Sequence, residues 1–148
     1  MQQAFMLQAP KRGRLARVPT VYLAGGMRTN WQDEVIKRVK GAIFLDPRNH
    51  GASDEDGYTA WDLAAVERSD IIFGFIEKTN PCGAGLAVEF GMAYGMGKRV
   101  LYIEEPDFPH SRYFGMVRAI ARAQGLPVHS VLGHGIQALN QLIADGDF

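Results

Sequence analysis

Cysteine is nearly absent: one residue in 148, Cys82. This excludes a disulfide framework and a cysteine-rich zinc site. There is no excess of either charge, since sixteen Lys and Arg balance sixteen Asp and Glu. A strongly basic nucleic-acid binder and an acidic disordered chain are both disfavoured. No apolar run approaches the ~20 residues that span a bilayer. The N-terminus lacks the apolar stretch and small-residue cleavage site of a secretory signal. No internal repeat or low-complexity tract is seen. What is present is ordinary for a globular chain, with 47% hydrophobic and 22% charged residues, and a chain of this length buries roughly 70% of its unfolded surface as one domain. The expectation is a soluble cytoplasmic protein that binds neither a membrane nor a nucleic acid polymer.

Residues 1–19 read as a basic extension. Lys11, Arg12, Arg14 and Arg17 all precede the first acidic residue, Asp33, and Pro10, Gly13 and Pro19 interrupt regular structure. From residue 20 to 148 the chain reads as one domain in which strands alternate with helices. Strands are expected at Thr20–Ala24, Ala42–Leu45, Ile71–Ile76, Arg99–Ile103 and Val128–Leu132. Helices are expected at Asn30–Lys40, Tyr58–Arg68, Leu86–Met96, Arg112–Gln124 and Gly135–Ala144. The continuous apolar run IIFGFI suits a parallel strand covered on both faces. The alternation implies an α/β fold: a doubly wound, parallel, five-stranded sheet in a flavodoxin-like or Rossmann-like three-layer sandwich. Ligands in such sheets bind at the carboxyl ends of the strands, near the switch in strand order. The loops after Ala24, Leu45 and Ile76 should meet there.

The chemistry-bearing residues cluster in those loops. Gly25-Gly26 closes the first strand and lets backbone approach a ligand. Asp46 ends the second strand, about where a dinucleotide fold keeps its ribose-binding acid, but the three-glycine spacing of that fingerprint is missing. Glu89 is the sharpest anomaly. It is the one charged residue in GLAVEFGMAYGMG, and Leu86, Met92 and Ala93 share its helical face. An ionised carboxylate on an apolar stripe is costly unless paired, although a helix start preceded by Gly83 and Gly85 favours an anion. Two readings stay open at this level: a capping-box glutamate, or a partly desolvated carboxylate poised as a nucleophile. Asp62, after Trp61, fits either a solvated helix face or a crevice group that orients substrate or holds a proton. Asp70, just before the buried strand, reads as structural. His129 and His134 lack a third ligand, so no metal site is assigned. Cys82 reads as a small loop residue.

The segments VYLAGGM, FLDPR, YTAWDLAAVERSDIIFGFI and GLAVEFGMAYGMGKRVLYI together resemble the nucleoside 2-deoxyribosyltransferase family over about residues 20–104. The related 2′-deoxynucleoside 5′-phosphate N-hydrolases share this layout. The resemblance implies that Glu89 attacks the anomeric carbon of a 2′-deoxyribonucleoside, and that a second base or water then takes the sugar with retained configuration. It implies no cofactor. Tyr22 matches a tyrosine that orients the nucleophile. Asp62 matches an aspartate that moves a proton to and from the base. Asp46 and Arg48 fall in the base-recognition loop, Arg48 standing where a neutral amide is common. Gly83 stands where the family often has an aspartate, with Asn80 as a substitute. Gly25, Gly83 and Gly85 complete the expected binding surface. SRYFGM is the one candidate for residues donated by a neighbouring subunit, with Tyr113 and Met116 as the contacts, which implies a homo-oligomer with shared sites. Small-molecule nucleosides and nucleobases are the implied partners. A 5′-phosphate could draw on Arg28, Ser111 and Arg112, which keeps N-glycoside hydrolysis of nucleosides or their 5′-monophosphates open. A non-catalytic nucleotide-sensing module is the third reading.

Overall fold

The computed structural model describes residues 17–80 and 83–148. Lys11, Arg12, Arg14 and Cys82 lie outside the described residues. Four strands form one sheet: β1 (Thr20–Gly25), β2 (Ile43–Leu45), β3 (Ile71–Ile76) and β4 (Arg99–Glu104). Their order is β2-β1-β3-β4 and all pairs are parallel. The helices are α1 (Trp31–Arg38), α2 (Glu55–Arg68), α3 (Ala84–Gly95), α4 (Gly115–Ala123) and α5 (Leu132–Asp145). Short 3₁₀ turns cover Pro47–Asn49 and Ser111–Phe114.

The period-two alternation of the strands sorts the core into two halves. Val21, Leu23, Ile71, Phe73, Phe75, Leu101 and Ile103 point to one face and pack against Trp31 and Val35 of α1 and Ile136 and Leu139 of α5. Tyr22, Ala24, Ile72, Ile76, Val100 and Tyr102 point to the other face and meet Ala65, Leu86, Phe90 and Val117 from α2, α3 and α4. Every residue of β3 is buried, as the IIFGFI run implies. Asp70 is structural: its carboxylate takes Arg17 at 2.6 Å and the Thr20 N–H at 2.9 Å.

The fifth strand is corrected. Val128–Leu132 makes only an isolated parallel bridge, His129 to Ile103. Its two hydrogen bonds are His129 N–H to Tyr102 O at 3.1 Å and Glu104 N–H to His129 O at 2.9 Å. The physical reason is length: Pro127 has no N–H to pair, and α5 already starts at Leu132, so little extended chain remains. The second helix starts earlier than expected because Asp54 caps it, its Oδ1 accepting the Gly57 N–H at 2.6 Å. The fourth begins as a 3₁₀ turn rather than at Arg112.

One glycine decides how closely α3 approaches the sheet. A Cβ on Gly74, in mid-β3, would overlap the ring of Phe90. Phe90 follows Glu89, so its depth sets that of the carboxylate. Gly74→Ala should destabilise the fold by about 1–3 kcal/mol through overpacking, read from the denaturation midpoint; an unchanged midpoint would show that α3 has room to retreat.

Candidate active site

The carboxyl ends of β1 and β3 open where neighbouring connections leave the sheet in opposite directions. Gly25 ends β1 with φ 149°, and a Cβ there would collide with the Phe75 carbonyl. Glycine is therefore required for the chain to leave the strand so close to β3. Gly83 precedes α3 with φ 137°, and its missing side chain leaves room for the Phe114 ring. At Gly85, by contrast, a Cβ would meet nothing within 4 Å: the space before the first turn of α3 is open.

A cavity of about 130 Å³ lies in this gap, lined by Tyr22, Gly25, Met27, Pro47, Asp62, Gly83, Gly85, Leu86 and Glu89. A second, of about 310 Å³, adjoins it through Asp62, Gly85 and Glu89, with Tyr58, Thr59, Leu63 and Val88 as its outer wall. Glu89 is 7% exposed and Tyr22 is 1% exposed. The Tyr22 hydroxyl donates to Glu89 Oε1 at 2.8 Å. A phenol has one proton to give. Asp62 faces the same hydroxyl, and its Oδ1 is buried with no hydrogen-bond partner. Two carboxylates thus flank one donor.

The electrostatics follow from that crowding. Burial pushes the Glu89 carboxyl up to about 7; the Tyr22 hydrogen bond opposes the rise and the charge of Asp62 adds to it. Burial also raises Asp62, while Tyr22 and His50 pull it down. Tyr22 is pushed far above the usual phenol range by burial and then by the two carboxylates, so it stays a donor. Crowded around one phenol, the two acids form a coupled pair in which each is harder to ionise than a free carboxyl.

The other sequence-derived candidates divide. Asp46 is buried and tied into the fold: its carboxylate accepts the Arg48 backbone N–H at 3.0 Å and pairs with the Arg48 guanidinium at 2.6 Å. Arg48 also pairs with Asp33 at 2.6 Å. Its charge is therefore spent within the protein, and neither Asp46 nor Arg48 is among the residues lining the two Glu89 cavities. Asn80 is buried against Gly26 and donates to Glu77 Oε2 at 3.0 Å. Tyr113 lines a third cavity of about 620 Å³ with Gly83, Gly85, His110 and Phe114. Met116 is 80% exposed. Among the described residues, no group of three His, Cys, Asp or Glu side chains is placed to hold a metal ion, and no helix is long and apolar enough to cross a membrane.

The family model described as nucleoside 2-deoxyribosyltransferase like matches residues 18–107. The chain belongs to that family. No match was found among curated proteins. A conserved protein from Enterococcus faecalis V583 shares the fold at TM-score 0.61 and 16% identity, over 88% of this chain and 99% of that one. A CMP N-glycosidase from Clostridium botulinum does so at TM-score 0.53 and 19% identity, over 82% and 98%. A 2-desoxiribosyltransferase from Leishmania mexicana aligns at TM-score 0.48 and 22% identity, over 58% and 64%.

Within this deoxyribosyltransferase-like chain, several cavity residues escaped the sequence reading. Thr59, Leu63 and Val88 are ordinary helix residues in sequence, and only the approach of α2 to α3 makes them a wall. Met27 and Pro47 come from two different loops. His50 carried a weak signal, as a histidine in the polar loop after the second strand. It lies 6.3 Å from Trp61, ring to ring, with its Nδ1 accepting the Ala52 N–H at 2.8 Å.

Because the folded Glu89 titrates near 7, above its unfolded value, its protonation supports the fold below the unfolded value and that support is lost as pH rises toward 7. Glu89→Gln keeps the acceptor for Tyr22 and removes the buried charge. It should therefore stabilise the protein at pH 8 by about 2–3 kcal/mol and have little effect at pH 4. Thermal melts at both pH values check this; equal shifts at the two would contradict the raised titration.

Proposed function

We propose that this chain transfers a 2-deoxyribosyl group between nucleobases through an ester on Glu89. The observation that carries the reading is a carboxylate buried in the second turn of α3, held at 2.8 Å by Tyr22 and sharing its cavity with a second carboxylate. The reactive form has the pair's proton on Asp62 and Glu89 ionised, and in the first step a Glu89 oxygen attacks C1′ of a 2′-deoxynucleoside. The C1′–N bond breaks, its electron pair leaves with the base, and the Asp62 proton goes to that base. In the second step a nitrogen of another base attacks C1′ from the vacated face and returns a proton to Asp62, freeing Glu89. Two inversions give net retention. Tyr22 keeps its proton throughout and orients Glu89.

The base belongs in the larger cavity, where Tyr58, Leu63 and Val88 offer apolar contact and Asp62 lies within the wall. The sugar belongs over Glu89. A 5′-monophosphate is the second reading: Ser111 is held by Glu104 and Arg118 and Arg112 lies 4.5 Å over the Tyr113 ring, but Arg28, next to Met27 of the smaller cavity, is exposed.

The site is proposed to be completed by a second copy of the chain. The outward residues of α3 beside Glu89 are uncharged, with Val88 63% exposed, and Tyr113 on the Ser111–Phe114 turn and Met116 at the start of α4 are exposed. Sedimentation should show a dimer or a multiple of dimers; a monomer that turns over substrate would overturn this assembly.

The chemistry is tested by incubating the protein with deoxyinosine and adenine. Deoxyadenosine should form, and free deoxyribose alone would assign hydrolysis instead. Glu89→Ala should reduce turnover at least about 10³-fold, and intact-mass analysis of a trapped wild-type reaction should show a pentose adduct on Glu89. Turnover without an adduct would reject the covalent route. Asp62→Asn should slow base exchange about 10²-fold with binding retained.

A further inference from the structure

Trp31 and Gln32 open α1, on the sheet face opposite Glu89. Both are buried, and their side chains converge on one loop carbonyl. Trp31 Nε1 donates to Gly26 O at 2.8 Å, and Gln32 Nε2 donates to the same oxygen at 3.0 Å. The other side of Gly26 is held as well. Its Cα lies against the Asn80 amide so closely that a Cβ would overlap it. Asn80 is anchored on Glu77 Oε2, which also accepts the Thr29 hydroxyl at 2.6 Å.

This clamp fixes the peptide plane between Gly26 and Met27. No peptide bond among the described residues is cis, and in a trans peptide the carbonyl and the N–H point in opposite directions. With the Gly26 carbonyl drawn toward α1, the Met27 N–H is turned toward the α3 side. Met27 lines the Glu89 cavity there. No hydrogen bond to a described residue engages that N–H. Gln32 also leaves a cost in place: it is 0% exposed, and its Oε1 is buried without a partner. An apolar residue at this position would avoid that orphan. The second donor on Gly26 O is what the glutamine supplies in return.

We propose that Trp31 and Gln32 are positioning residues that preset the Met27 N–H as a donor to a sugar oxygen of the substrate. The inference rests on the glycosyl-transfer reading of the Glu89 site. Met27 lines the smaller cavity and is not among the residues of the wall assigned to the base. The acceptor is therefore a sugar oxygen, on C3′ or C5′, and donors that lack one or the other identify it.

The test uses the full chain with 2′-deoxyadenosine, 2′,3′-dideoxyadenosine and 2′,5′-dideoxyadenosine as donors, with adenine analogues as acceptors. Gln32→Met and Trp31→Phe should raise KM about tenfold for 2′-deoxyadenosine, with kcat within about twofold. KM should move less than about twofold for one of the two dideoxy donors, the one that lacks the oxygen Met27 meets. Trp31→Phe also removes core contacts, so Gln32→Met is the deciding variant. Its Tm should be unchanged or higher, because the orphan oxygen is gone. Equal KM shifts for all three donors, or none, would overturn the inference while leaving the glycosyl-transfer reading standing. No turnover of any donor by the wild type would overturn both.

Discussion

A carboxylate withdrawn from water, with one phenol proton to steady it, is the constraint around which this molecule is arranged. Glu89 reaches Tyr22 because several unrelated features agree. Tyr22 lies on a central strand, and the alternation of β1 turns it to the α3 face while Val21 and Leu23 turn away. Ala24 and Gly74 are register partners on β1 and β3. Gly74 in particular has no side chain to hold Phe90 off the sheet. The helix therefore settles deeply enough to bury its one acid. Burial raises the affinity of Glu89 for a proton, and the neighbouring Asp62 raises it again. The same geometry that costs stability sets two carboxylates side by side in one cavity.

The two faces of the sheet divide the work. The α3 face carries the paired carboxylates and the cavity, and the α1 face supplies the clamp on Gly26. They meet in the loop that leaves β1, which is short enough for a hydrogen bond on one side to orient an amide on the other. This is the crevice that parallel sheets provide where successive connections depart to opposite faces. Charge near the site is largely neutralised by internal pairing. Arg48 is held between Asp46 and Asp33, and Arg118 is locked to Glu104 and Ser111. The larger of the two Glu89 cavities offers shape and apolar contact from Tyr58, Leu63 and Val88, with Asp62 as the polar group in its wall.

Much of this was legible before any coordinates. The order of elements, the buried run of β3 and the single acid on an apolar helix are local patterns, and local patterns survive in a sequence. Asp70 before a strand and Asp54 before a helix belong to the same class, although Gly57 hid the second. The segment at Val128–Leu132 was misread for a related reason: its β-branched residues suit a strand, but a strand also needs enough extended chain before the next helix begins. Asp46 and Arg48 illustrate the opposite limit. Asp46 read as a ligand contact from its place at the end of a strand and Arg48 from the family resemblance, and the structure pairs them with each other, because a neighbouring guanidinium is the nearest partner a buried carboxylate can find.

The sequence by itself determined which residues are buried, where helices and strands alternate, and that Glu89 would sit in apolar surroundings, since each follows from periodicity and from the cost of desolvating charge. Only the tertiary structure decided what faces that acid. Tyr22, Asp62, Met27 and Gly85 come from four separate stretches of chain, and distances between such stretches depend on how closely helices pack on the sheet. That closeness is set by atoms that are absent, at Gly74 and Gly83, and by a carbonyl held from the far side of the sheet. No linear pattern encodes contacts of that kind, because they arise when the layers come together.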